Sequence, residues 1–300
     1  HWADFMKGKW LWVDTRQKLP KVREEIEGSA VIAIDTEYDS FRYFREKLCL
    51  LQIGTEQRIY LIDPLETSID LSFLGRAFAD PHQVKVIHAG DNDIRILNRD
   101  YGFEFNNVFD THRAASLLGS NHLSLSSVIE QYLGLRLEKP KKMQRSRWEK
   151  RPLTEDQLNY AAEDTQHLIP LYRRLNAEIE AKGLQWQAAR AFEGIAAVRW
   201  AEKKFNLRGY RGIQGYETLS VEKKRRLRDL YRWRFRKAQE TNMARFMILS
   251  DQDLFDIART DSVTLDGLIR NGGLSPKKAK TYGSEIMKIL SGSDAEEKSR

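Results

Sequence analysis

The spacing of apolar and polar positions predicts a mixed layer of strands and helices followed by an all-helical segment. Ala30 to Ile34 is an apolar, β-branched run of strand length that ends in Asp35-Thr36-Glu37. Leu48 to Ile53 and Arg58 to Asp63 flank the turn residues Gly54-Thr55-Glu56-Gln57, and the three strands together predict an antiparallel meander. Beyond Pro64 the pattern alternates. Leu71 to Phe78 reads as a short helix, Val84 to His88 as a strand, and Asp91 to Asp100 as a helix with Asp91 as its cap, which predicts an α/β architecture. Helical spacing returns from Ser124 to Tyr132 and from Thr154 to Leu175, where Thr154 is an N-cap and Glu155, Asp156 and Gln157 fill the first turn.

Residues 176–207 continue helix-rich, with Trp186, Phe192 and Trp200 at periodic positions, until the glycines of Gly209-Tyr210-Arg211-Gly212-Ile213-Gln214-Gly215 break the pattern. Helices are expected again over Ser220–Asn242, Asp251–Thr260, Ser262–Asn271 and Ser275–Leu290. The expected organisation is an α/β domain over 1–175, a helical connector over 176–213, a helical domain over 214–290 and a disordered polar tail over 291–300.

Composition narrows the functional classes. The 50 Lys and Arg against 43 Asp and Glu leave a net charge of +7, which suits an anionic partner such as nucleic acid. Cys49 is the only cysteine, so an intrachain disulfide framework and a multi-cysteine zinc site are excluded, and a buried, reduced thiol is expected. No stretch approaches the ~20 apolar residues of a membrane helix, and His1 to Lys9 lack the apolar block of a signal peptide. A cytoplasmic protein without membrane contact, acting as a monomer, is the expectation. There is no phosphate loop and no G-x-S-x-G elbow, and the glycines after Arg208 follow no strand, which argues against an ATPase, a helicase motor, an α/β-hydrolase and a nicotinamide enzyme. No nucleotide cofactor is expected.

Carboxylates are the candidates for chemistry. Asp35 and Glu37, at i and i+2 on a strand, share a face, and Tyr160 and Asp164, at i and i+4 on a helix, share another. Asp93 follows the strand ending at His88. Taken singly, each has a plainer explanation, as a solvent-edge strand end or a helix cap. Together Asp35, Glu37, Asp93 and Asp164 offer four hard oxygen donors of the kind Mg²⁺ or Mn²⁺ prefers. Two such ions, roughly 3.5–4 Å apart, clamp the attacking and leaving oxygens of a phosphodiester. Tyr160 would orient or help deprotonate the attacking water.

In order and spacing, Val31-Ile32-Ala33-Ile34-Asp35-Thr36-Glu37, His88-Ala89-Gly90-Asp91-Asn92-Asp93 and Tyr160-Ala161-Ala162-Glu163-Asp164 resemble the three exonuclease motifs of the DEDD superfamily in its tyrosine form, most closely the ribonuclease D family. Asp63-Pro64-Leu65, Phe109-Asp110-Thr111 and the run from Arg145 to Thr154 add to the resemblance, which covers residues 8–175. It implies a ribonuclease H-like mixed-sheet fold, 3′→5′ removal of nucleotides, and two divalent metal ions on Asp35, Glu37, Asp93 and Asp164. Asp93 matches the motif by its distance from His88, with Asp91 as an additional acid. Leu227 to Ala238, Phe246 to Leu254 and Tyr282-Gly283 resemble the small all-helical HRDC domain, of which a single copy is visible where bacterial members often carry two.

Basic residues are weighed separately. Lys223 to Lys237 crowd cations onto one helix with only Asp229 opposing them, and Arg225, Arg228 and Arg232 are expected phosphate contacts, although such a run is often a solvated face. The loop carrying Lys139, Lys141, Lys142, Arg145 and Arg147 is expected to clamp substrate. Thr36, Tyr38 and His88 are further candidate nucleic-acid contacts, with Tyr38 available to stack on a base, while Trp148 is assigned to the core. The resulting expectation is a metal-dependent exoribonuclease trimming RNA 3′ ends, with transfer-RNA precursors taken from the resemblance. Two readings stay open beside it: a 3′→5′ exonuclease on single-stranded DNA, since nothing here selects for the ribose hydroxyl, and a catalytically silent nucleic-acid-binding protein.

Overall fold

The computed structural model describes residues 10–137, 141–261 and 263–292, without the side chains of 141 and 142. The tail from 293, Lys139 and the start of the helix expected from Ser262 lie outside the described residues. The chain divides into two compact units, one of residues 1–39 and 47–201, the other of 40–46 and 202–300.

In the first unit the elements run β1 (Trp10–Val13), α1 (Leu19–Glu27), β2 (Val31–Asp39), β3 (Lys47–Gly54), β4 (Ile59–Ile62), α2 (Phe73–Ala79), β5 (Val84–Ile87), α3 (Asp91–Tyr101), β6 (Val108–Asp110), α4 (Thr111–Leu117), α5 (Leu125–Leu133), α6 (Lys141–Gln144), α7 (Glu155–Gln166), α8 (Leu168–Ala181) and α9 (Gln185–Ala196). The strands form one sheet in the order β1-β4-β3-β2-β5-β6. β2, β3 and β4 pair antiparallel as the expected meander, whereas β1 joins β4, and β5 joins both β2 and β6, in parallel.

The sheet is buried on both faces. Side chains alternate along β2, so Ile32 and Ile34 enter one core with Val22, Ile26, Phe78 and Leu97 from α1 to α3, while Ala33 enters another with Ala114, Val128, Leu168 and Leu171. A third cluster joins Cys49, Leu50 and Leu61 to Trp148, Ala161 and Ala162, and burial pushes the Cys49 thiol up to about 12, which leaves it inert. This three-layer arrangement fits the α/β expectation.

Several expectations are corrected. The helical spacing expected over Thr154–Leu175 is met by two helices, α7 ending at Gln166 and α8 beginning at Leu168, two residues before Pro170, which has no N–H to continue a helix. Asp91 is not the cap of α3. That place belongs to Gly90, and Asp91 pairs with Arg113 at 2.7 Å. Residues 176–201 are not a connector: Ile179, Ala188 and Ile195 are buried in the cores of the first unit. The glycine segment Gly209–Gly212 belongs to the second unit, where the neighbouring Ile213 and Leu219 enter the helical core, so the division falls at 201/202.

That second unit contains α10 (Val221–Thr241), α11 (Arg245–Ile248), α12 (Asp251–Arg259), α13 (Leu265–Arg270) and α14 (Pro276–Ser291), so Ser291, expected in the tail, closes the last helix. Ser220, Ser250, Thr264 and Ser275 each accept a backbone N–H as N-caps. Leu227, Leu230, Trp233, Ile257 and Ile286 form its core, joined by Phe44 from the segment 40–46. That segment is held by Phe44 N–H donating to Asn242 O at 3.3 Å and Ala244 N–H to Arg42 O at 2.9 Å. Among the described residues no helix is long and apolar enough to cross a membrane.

Candidate active site

Asp35 and Glu37 stand on the central strand β2, at positions whose side chains leave the apolar interior for a half-buried surface. The β2–β3 register shifts between Glu37 and Tyr38, a bulge that re-aims the strand just past the second acid. α7 packs over the same face, its start fixed by a capping box in which Thr154 accepts from Gln157 N–H and Gln157 from Thr154 N–H. Small residues let this helix approach. Ala161 and Ala162 are fully buried, and a Cβ at Gly54 would meet Thr165 Cγ2 at 2.9 Å.

The close packing brings Asp164 to the acids of β2. Ligand oxygens of Asp35, Glu37 and Asp164 all lie within 4.8 Å of one another. Three carboxylates at that separation repel unless a cation lies among them, and an all-oxygen set of this kind fits a hard divalent ion such as Mg²⁺ or Mn²⁺. Tyr160 shares the site: burial first, then the charges of Asp164, Glu37 and Asp35, push its hydroxyl far above the ordinary tyrosine value. Its hydroxyl also hydrogen-bonds Asp164, which places it to orient a water beside the carboxylates. The Tyr160 ring lies beside Trp148, centroids 6.1 Å apart.

Asp93 is placed differently. Thr36, between the two acids of β2, points to the opposite face, and its hydroxyl donates to the Asp93 carboxylate in the first turn of α3. Burial pushes Asp93 up to about 6, against the lowering effect of the Thr36 bond. Asp93 is thus not part of the three-acid group. Asp110, fully buried nearby and also raised by burial, accepts Gly90 N–H at 3.0 Å and Arg113 N–H at 2.9 Å, so it fixes the turn into α3 and caps α4. Gly90 belongs in that turn because a Cβ there would lie 2.3 Å from Ile87 Cδ1.

The remaining candidates fall at varied places. His88 spends both ring nitrogens internally, Nδ1 on Thr111 Oγ1 at 2.8 Å and Nε2 on Leu123 O at 3.0 Å. Tyr38 is half-buried against the core of α1 to α3, and Trp148 is buried as expected. Arg145 is exposed and Arg147 pairs with Glu149 at 2.7 Å, while the side chains of Lys141 and Lys142 lie outside the described residues. On α10 the expectation of a cation run opposed only by Asp229 is corrected. Lys223 pairs with Asp261 (2.8 Å), Lys224 with Glu217 (3.4 Å), Arg226 with Glu222 (2.8 Å) and Arg228 with Asp229 (3.0 Å). Lys237 pairs with Glu240 (3.2 Å) and Glu285 (3.0 Å), and buried Arg234 with Asp251 (2.7 Å). Arg225 is half-buried and Arg232 exposed.

Sequence reasoning missed two features that position the site. Arg151 holds Asp63 with two 2.6 Å bonds and donates to Cys49 O at 2.7 Å, tying the segment before α7 to the sheet. Trp10 Nε1 donates to Asn159 Oδ1 at 3.1 Å, one residue before Tyr160. No sequence spacing signals either pair.

Residues 11–180 match the 3′-5′ exonuclease family, and residues 223–290 match the HRDC domain. The chain belongs to that exonuclease family. It is 31% identical over 267 residues to the ribonuclease D of Gluconacetobacter diazotrophicus, covering 88% of this chain and 66% of that protein. Over 171 residues it is 37% identical to exosome complex component 10 of Rattus norvegicus, covering 57% of this chain and 19% of that protein. The chain thus spans about a fifth of that exosome relative and just under two thirds of that ribonuclease D. Among solved structures, Escherichia coli RNase D, described as an exoribonuclease involved in structured RNA processing, is 28% identical with a TM-score of 0.72, covering 95% of this chain and 75% of that one. The catalytic core of RRP6 from Trypanosoma brucei shares the fold, with a TM-score of 0.85, 22% identity and coverage of 95% and 80%.

Proposed function

We propose that this chain is a metal-dependent 3′→5′ exoribonuclease that hydrolyses phosphodiester bonds from RNA 3′ ends and releases nucleoside 5′-monophosphates, with transfer-RNA precursors and other structured RNAs as substrates. The observation that carries the reading is the convergence of Asp35, Glu37 and Asp164 within 4.8 Å on a chain of the 3′-5′ exonuclease family. These three would hold the ions, with Asp93 as the fourth candidate ligand. Two Mg²⁺ or Mn²⁺ ions, when bound, supply a positive clamp on the attacking and leaving oxygens.

The chain's own residues do the rest. Water adds to the terminal phosphorus as the bond to the 3′ oxygen of the preceding nucleotide breaks, and that oxygen takes up a proton to become the new 3′ hydroxyl. Tyr160, hydrogen-bonded to Asp164, places its hydroxyl at the carboxylate site and orients the water by hydrogen bonding. Thr36 holds Asp93, and Asp110 holds the turn into α3, so the second motif is supported by buried hydrogen bonds.

Digestion in ¹⁸O-water tests the chemistry. Mass spectrometry should find nucleoside 5′-monophosphates carrying one ¹⁸O in the phosphate; 3′-phosphates or cyclic phosphates would refute the hydrolysis as written. A matched DNA oligonucleotide in the same assay separates RNA from DNA preference.

A further inference from the structure

The second unit carries a groove of about 850 Å³ built from none of the acid-cluster residues. Its floor is aromatic, with Phe44 and Phe235 packed edge to face at 5.1 Å. On its lining Phe41 and Phe246 are 66% and 46% exposed, yet their ring centroids lie only 4.8 Å apart, and the Arg42 guanidinium lies 5.9 Å from the Phe41 ring. Two large rings held together in solvent forgo the stabilisation that burial would bring, so a ligand with a flat apolar face would gain by covering them.

Charge selects the ligand class. Lys204 and Arg245 line the groove, are exposed, and have no acid partner among the described residues. The carboxylate in the lining, Asp251, is neutralised by Arg234 at 2.7 Å. Aromatic faces interleaved with uncommitted cations match unstacked bases joined by phosphates, whereas a duplex hides its base faces and an apolar peptide has no use for the cations.

We propose that the groove around Phe41 and Phe246 is a stacking site for single-stranded nucleic acid. It rests on the exoribonuclease reading only in taking that strand to be RNA. The bases lie on Phe41 and Phe246, and Lys204 and Arg245 meet the phosphates. The cations of α10, mostly paired with acids, are secondary to this site.

The test measures binding by the full chain, in chelator so that nothing is cleaved, of a labelled single-stranded RNA of about a dozen nucleotides, its DNA counterpart and a blunt hairpin. Phe41→Ala and Phe246→Ala should each weaken single-strand binding roughly 5- to 150-fold, Phe246→Trp should retain it, and hairpin affinity should not change. The pair Lys204→Ala and Arg245→Ala should lower the salt slope by roughly 0.7 for each phosphate that is no longer neutralised. The ring positions are exposed, so unchanged circular dichroism and melting midpoints establish that the variants are folded. Wild-type affinity and salt slope in all of these variants would overturn the proposal. Equal losses on hairpin and single strand would overturn the stacking. Failure of the exoribonuclease reading shows separately, as absence of hydrolysis by wild type with Mn²⁺.

Discussion

Replacing Gln52 with Met should stabilise the metal-free protein. Gln52 lies in β3 between Asp35 of β2 and Leu61 of β4, so its backbone is in the middle of the sheet. Its side chain is fully buried, and neither the amide oxygen nor the amide nitrogen has a hydrogen-bond partner among the described residues. A buried polar group left unsatisfied costs about 1–3 kcal/mol, and Met keeps nearly the same length and volume while removing the orphaned donors and acceptor. A gain of about 2 kcal/mol is therefore expected, the middle of that range. For a unit of this size each kcal/mol raises Tm by roughly 2–4 °C, so the expected rise is about 4–8 °C. The assay is thermal and urea unfolding of the full chain in chelator, with hydrogen exchange of the β3 amides reporting the first unit alone. An unchanged or lower midpoint, with β3 no better protected, would refute the reasoning and mean that the amide is satisfied in solution.

Three further outcomes follow from the same packing. Gly54→Ala should lower stability by about 1–3 kcal/mol, since its Cβ would meet Thr165 Cγ2 at 2.9 Å, and should slow RNA digestion by displacing α7. Thr165→Ser in the same chain should restore part of both, and additive losses in a double-mutant cycle would show that the clash is not the cause. Arg151→Met should cost about 2–4 kcal/mol in urea unfolding because Asp63 stays buried without its bidentate partner; a loss under about 0.5 kcal/mol would show the pair to be a surface one. Lys85 is buried, its amine donating to the carbonyls of Asp80 and Gln83, and burial lowers it from 10.5 to about 8. Between those values the unfolded chain binds the extra proton, so Lys85 makes stability rise with pH from about 8 to 10.5. The urea midpoint of wild type relative to Lys85→Met should climb across that window, and a flat difference would contradict the lowered value.

The site was legible where chemistry follows from periodicity. Alternation alone puts Asp35 and Glu37 on one face, and a helical turn alone puts Tyr160 beside Asp164. The same alternation could have shown that Thr36 faces the other way, toward Asp93, and Pro170 could have shown that the helix from Thr154 ends early. Other features carried no local signal. β1 and β6 gain their place from pairing with strands distant in sequence, β1 with β4 and β6 with β5. The acids that neutralise α10 arrive largely from other parts of the helical unit, Asp261, Glu217, Asp251 and Glu285, so a reading confined to one helix overstates its free charge. The aromatic groove escaped notice for a related reason: Phe41 and Phe246 are far apart in sequence and meet only because segment 40–46 joins the helical unit.

We propose that Asp35, Glu37 and Asp164 would hold the divalent metal ions for 3′→5′ hydrolysis. The most direct test is digestion of a 5′-labelled single-stranded RNA by wild type and by Asp164→Asn, each with Mg²⁺, with Mn²⁺ and with chelator. A ladder shortening from the 3′ end is expected with either metal, abolished by chelator and reduced at least a hundredfold in Asp164→Asn, a loss of transition-state stabilisation of about 2.7 kcal/mol or more. A wild-type ladder that persists in chelator, or an Asp164→Asn rate equal to wild type, would contradict the proposal.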